Sequence, residues 1–92
     1  MWRVDWSDKV DKQLSRCPDH IQRKFRAWAL AVEEDGLYAV RKLPSFHDEP
    51  LKGTRRGQRS IRLNRAYRAI YVERKDGEIE LVDVIEVNKH EY

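Results

Sequence analysis

The chain has 92 residues, 40% of them apolar and 38% charged, with a net charge of +3. That length holds one domain, residues 1–92, with a modest core that needs no metal or disulfide staple. No apolar run approaches membrane-spanning length, which excludes a transmembrane helix, and the opening MWRVDWSDK lacks the apolar stretch of a secretory leader.

Trp2, Val4 and Trp6 alternate with Arg3 and Asp5, the pattern of a half-buried strand. Ser7 follows as an N-cap, and Asp8 stands in the first turn of a short helix. That helix runs from Asp8 to about Arg16 and buries Val10 and Leu14. Pro18 interrupts it, having no amide hydrogen to donate, and suits the first turn of the next helix. Cys17, the single cysteine, has no partner for an internal disulfide and fits a reducing cytoplasm. It reads as a small core or helix-end residue. Ile21, Phe25, Trp28, Ala29 and Val32 then form one apolar stripe at helical spacing, and Gly36 ends it. Glu33, Glu34 and Asp35 crowd the negative end of that helix dipole. The penalty is about a few tenths of a kcal/mol, and the sequence offers no reason for it.

Leu37 to Gly57 shows little periodicity and carries Pro44, Pro50, Gly53 and Gly57. A connection that long is often functional. Three strands close the chain: Arg59 to Leu63, Tyr67 to Glu73 and Glu78 to Val87. Lys75-Asp76-Gly77 makes a hairpin turn between the last two. The last strand is apolar on both faces and so belongs inside the sheet. The predicted class is α+β in the order β-α-α-β-β-β, with two helices on one face of a mainly antiparallel, four-stranded sheet.

The charge is segregated. Pro50 to Arg68 holds seven basic residues, Lys52, Arg55, Arg56, Arg59, Arg62, Arg65 and Arg68, and no acidic one. Asp76 to Glu86 holds five acidic residues and no basic one. A solvated face would be served equally well by lysine, yet six of the seven are arginine, whose planar donor fork suits phosphate. Such a strip attracts polyanions, and RNA is the ligand it points to.

A turn at Asn64-Arg65-Ala66, symmetric about Arg65, would set Leu63 across from Tyr67 and Arg62 across from Arg68. Like charges directly opposed on a sheet repel. Either an anion sits between them, or the register differs, or each arginine pairs with a nearby carboxylate. Glu49, with Asp48 beside it, is the carboxylate adjoining the strip. It reads as a salt-bridge partner or as a general base beside a phosphate clamp. His90, just past the last strand, is either a solvated side chain or a proton donor, and Tyr92, as close to the terminus, also reads as a solvated side chain. His20 and His47 show no partner pattern and read as structural or solvated.

Asp48-Glu49-Pro50-Leu51-Lys52-Gly53, Ser60-Ile61-Arg62, Tyr67-Arg68-Ala69-Ile70-Tyr71 and Lys89-His90-Glu91-Tyr92 together resemble the RelE/ParE superfamily of bacterial type II toxins, closest to YoeB-like mRNA interferases. The resemblance spans nearly the whole chain. It implies a metal-free, cofactor-free endoribonuclease that cuts mRNA, in the best-known members within the ribosomal A site, with the RNA 2′-hydroxyl as nucleophile. Glu49 would be the general base, Arg62 and Arg68 the phosphate ligands, and His90 the general acid. Lys52 would line the site and Tyr92 would contact a base. The remaining arginines, Arg55, Arg56, Arg59 and Arg65, are expected along the substrate. One departure stands out: Glu91 separates His90 from Tyr92, which are adjacent in the closest members. The partners implied are mRNA, the ribosome and a cognate antitoxin protein, in the cytoplasm and away from membranes. Two rival readings share the fold or the charge. A ParE-like inhibitor of DNA gyrase should lack the Glu, the His and the opposed arginines. A non-catalytic RNA-binding module should expose aromatics on its sheet for base stacking.

Overall fold

The computed structural model describes residues 1–89. Its elements are β1 (Trp2–Trp6), α1 (Asp8–Ser15), α2 (Asp19–Asp35), α3 (Leu37–Arg41), β2 (Glu49–Pro50), β3 (Arg59–Arg62), β4 (Tyr67–Asp76) and β5 (Ile79–Lys89). Short 3₁₀ turns occupy Pro44–Phe46 and Gly53–Arg55. The strands make one sheet in the order β1-β5-β4-β3-β2. β1 runs parallel to β5, and every other neighbouring pair is antiparallel. The class is α+β, as the sequence predicts.

Two elements lie where the sequence shows no periodicity. Leu37–Arg41 is a third helix, anchored by buried Leu37 and Val40. Glu49–Pro50 is a fifth strand at the sheet edge, so the sheet has five strands rather than four. A single helical turn and a two-residue strand are too short to show a repeat.

The α2 stripe fills the core. Ile21, Phe25, Trp28 and Val32 are fully buried against Tyr71, Val82 and Val84 of the sheet. An aromatic ladder runs from Trp6 through Phe25 and Trp28 to Tyr71, with ring centroids 5.1, 5.9 and 5.6 Å apart. Each such contact adds about 0.5–1.5 kcal/mol beyond burial alone. Ser7 precedes α1, but it caps with its backbone: its carbonyl accepts the Asp11 amide at 3.0 Å and its hydroxyl caps nothing. Pro18 stands just before α2, not in its first turn. The acidic end of α2 has a partial reason. Glu33 Oε2 accepts the Val4 amide at 3.1 Å and so ties the edge strand β1 to the helix. Gly36 then turns the chain at φ +88, packed so closely that a Cβ would meet Trp2 Nε1 at 3.0 Å.

β5 does lie inside the sheet, and its alternation is broken once. Ile70 pairs with Glu86 while Tyr71 pairs with Val84, so Ile85 is an extra residue, a β-bulge. The buried residues are Val82, Val84 and then Val87, which shift phase across the bulge. The β4–β5 turn is Gly77-Glu78, one residue later than the sequence places it.

Candidate active site

Strand register decides what each sheet face carries. Residues directly opposed share a face, as do residues two apart on one strand. Glu49 pairs with Ser60, Arg62 with Arg68, and Ser60 with Ile70. Glu49, Ser60, Arg62, Arg68 and Ile70 therefore share one face, continued on β5 by Glu86 and Asn88. Ile61, Ala69 and Tyr71 take the other face and belong to the core under the helices. The opposed arginines thus stand on the face the helices leave open.

A strap crosses that face. Arg55, on the loop after β2, donates to Glu86 Oε1 at 2.9 Å and to Gln58 Oε1 at 2.8 Å. Glu86 lies on β5, so Arg55 must reach across the row formed by Ser60, Ile70 and Glu86. Ser60 is 4% exposed and Ile70 fully buried, although both face away from the helices. Asn88 donates to the second Glu86 oxygen. Burial acts to raise the Glu86 carboxyl, but these donors outweigh it and hold it below the usual carboxylate range.

The next row is Arg62, Arg68 and Asn88. It borders a cleft lined by His47, Glu49, Arg62, Asn64, Arg65 and Arg68, among others. Asn64 fixes the hairpin: its Oδ1 accepts the amides of Ala66 at 2.7 Å and Tyr67 at 2.8 Å. The Leu63 amide donates to the Tyr67 carbonyl at 2.9 Å, closing the turn about Arg65. Arg62 and Arg68 are opposed in the register the sequence expects. Arg68 Nε is buried, and among the described residues it has no hydrogen-bond partner.

The segment that carries His47 and Glu49 is anchored by Asp48. The Asp48 side chain is 1% exposed and accepts from Arg59 Nε at 2.7 Å and from the Tyr71 hydroxyl at 2.5 Å. Arg41 lies 3.9 Å from the same carboxylate and donates to Glu73 at 2.6 Å, where Tyr38 also donates. Burial and the Asp48 carboxylate together push the Tyr71 hydroxyl well above its ordinary value. Asp48 points inward while its neighbours point out: His47 Nε2 stands 3.6 Å from Glu49 Oε2, and both line the cleft.

The structure brings Glu49, Arg62, Arg65 and Arg68 together in the cleft. Lys52 and Arg56 line a separate shallow depression with Leu51 and Gly53. Arg55 and Arg59, expected along the substrate, are engaged in the internal ion pairs with Glu86 and Asp48. His90 and Tyr92 lie outside the described residues. His47, read from the sequence as structural or solvated, lines the cleft with a half-exposed side chain. The sequence reading missed the holding role of Asp48. The alternation His47, Asp48, Glu49 was the available signal.

No family model and no curated protein matches the chain by sequence. Solved structures do match in fold. A YoeB/ParE toxin from Agrobacterium tumefaciens superposes with a TM-score of 0.73 at 18% identity, covering 97% of this chain and 99% of that one. YafQ from E. coli strain BL21(DE3) gives 0.71 at 17% identity, covering 98% and 94%. The toxin-antitoxin complex RelBE2 from Mycobacterium tuberculosis gives 0.66 at 21% identity, covering 96% of each. The chain has the fold of these toxins along almost its entire length.

Proposed function

We propose that this protein is the toxin of a toxin–antitoxin pair, a metal-independent endoribonuclease that cuts mRNA in the ribosomal A site and so blocks translation. One observation carries the reading. Arg62 and Arg68 are directly opposed on the open sheet face, one row from Glu49, and Arg68 Nε is buried without a hydrogen-bond partner among the described residues. Two like charges held so close call for an anion between them. A backbone phosphate satisfies both guanidinium groups.

The chemistry follows from these groups. The RNA 2′-oxygen attacks the adjacent phosphorus while Glu49 takes its proton. Arg62 and Arg68 stabilise the charge that builds on the non-bridging oxygens, usually the largest single contribution. The bond to the 5′-oxygen breaks, leaving a 2′,3′-cyclic phosphate. The leaving oxygen needs a proton, a role the family resemblance gives to His90. Lys52 and Arg56 would meet the RNA backbone beyond the cleft.

A nuclease of cellular message must be held in check, and the fold neighbour from M. tuberculosis is a toxin-antitoxin complex. An acidic partner that covers the arginine row is the expected antitoxin, and co-purification from the native operon tests for it. No described helix is long and apolar enough to cross a membrane, and action on mRNA would take place in the cytoplasm. Primer extension on mRNA in a reconstituted translation reaction, with and without ribosomes, tests the activity. Cleavage that needs ribosomes is the expected result. Gyrase inhibition without cleavage would instead make this a ParE-like toxin, and RNA binding without either would make it a non-catalytic module.

A further inference from the structure

We propose that His47 is a positioning residue for Glu49, which holds that carboxylate in the cleft and takes from it the proton removed from the substrate. The proposal rests on the ribonuclease reading of the same cleft.

The backbone is the first observation. His47 is the one non-glycine residue with positive φ among those described, at φ 47 and ψ 50. It ends the turn Pro44–Phe46. Glycine or asparagine would end that turn with less strain, because the left-handed region crowds most side chains. Strained residues of this kind gather at functional sites. The strained turn presents this imidazole at the rim of the cleft.

Direction is the second. Asp48 is anchored inward by Arg59 and Tyr71, at 2.7 and 2.5 Å. That anchor fixes the chain between His47 and Glu49 and sends both flanking side chains outward to the same cleft. Their polar atoms are 3.6 Å apart, in ion-pair range and just beyond a hydrogen bond. The two side chains are 53% and 55% exposed, so small torsional changes can close the gap.

Chemistry by elimination is the third. Among the described residues, the charged and titratable groups lining the cleft are His47, Glu49, Arg62, Arg65, Tyr67 and Arg68. A protonated Glu49 must lose its proton before the next turnover. Arginine has no acceptor site, and a phenol is a poor acceptor near neutral pH. Among the described side chains of the cleft, the His47 imidazole is the one besides Glu49 whose ring nitrogen can accept that proton and pass it on. In the proposed route the proton passes from the 2′-oxygen to Glu49 Oε2, then across the 3.6 Å gap to His47 Nε2, and from the exposed imidazolium to water. No other bond changes in these steps.

His47→Asn tests this, because asparagine tolerates positive φ and cannot carry the proton. On ribosome-bound mRNA, the single-turnover rate at saturating protein should fall about tenfold or more. The half-saturating concentration should stay within about twofold, since nothing that binds phosphate is lost. His47→Gly, which also suits the backbone, should regain part of its rate when free imidazole is added. An unchanged rate in His47→Asn overturns the proposal. So does a loss confined to the half-saturating concentration, or a His47→Gly defect that imidazole leaves untouched. A wild type that cuts no RNA, with or without ribosomes, sinks the ribonuclease reading itself and this proposal with it. A wild type that cuts while His47→Asn cuts equally well sinks this proposal alone.

Discussion

Arg62 and Arg68 face each other across β3 and β4, and their repulsion is a standing local penalty of roughly 0.2–1 kcal/mol. Removing either charge should therefore leave stability unchanged or raise it slightly. Cleavage should respond in the opposite sense. Arg62→Ala or Arg68→Ala is expected to lower the rate by on the order of 10²–10³-fold, the scale of losing one charge-stabilising donor. Arg68→Lys keeps the charge and loses the planar fork, so most of that loss should persist. Thermal melts alongside single-turnover cleavage check both halves, and a variant with wild-type cleavage would remove its arginine from the clamp. The pairing of these arginines was legible because a tight turn about Arg65 leaves few registers, and the Asn64 side chain selects one of them. His47 was not legible. Its place depends on one backbone angle and on the direction taken by Asp48, and neither leaves a mark in hydrophobic periodicity.

Between elements, the site depends on parts too short or too irregular to read from the chain. The long periodic helix α2 and the strands β4 and β5 follow from side-chain spacing. The strand β2, two residues long, and the bulge at Ile85 do not, yet β2 carries Glu49 and the bulge resets the phase of β5. The strap from Arg55 to Glu86 is equally invisible, because its two residues are 31 apart. It should make stability depend on pH. A carboxyl held below its ordinary value in the fold stabilises it fully above the unfolded value, and that contribution fades as pH falls through the folded one. Arg55→Ala should thus cost about 0.5–1 kcal/mol at pH 7, where the pair is intact, and clearly less at about pH 3. Urea titrations at the two pH values measure the gap. An equal loss at both would assign it to packing of the arginine stem. At the other sheet edge, Gly36→Ala combines φ +88 with a Cβ 3.0 Å from Trp2 Nε1. Its expected penalty is more than about 1 kcal/mol, read as a lower melting temperature.

Over the whole molecule, the cationic strip divides into two populations that composition alone cannot separate. Arg55 and Arg59 spend their charge on Glu86 and Asp48 inside the protein. Arg56 and Lys52 line an open depression, and Arg62 and Arg68 line the cleft. A polyanion should sense the second population and hardly sense the first. Salt dependence makes the division measurable. Each phosphate neutralised on a single strand contributes about −0.7 to the slope of log affinity against log salt. With a short single-stranded RNA and Glu49→Gln as the cleavage-deficient background, Arg62→Ala or Arg56→Ala should each flatten the slope by about that amount. Arg55→Ala and Arg59→Ala should leave the slope nearly unchanged, even where they lower stability. Fluorescence anisotropy over a range of salt concentrations gives the slopes directly. If Arg59→Ala flattens the slope as strongly as Arg62→Ala, Arg59 leaves Asp48 to meet the RNA, and the segment that carries Glu49 rearranges when the substrate arrives.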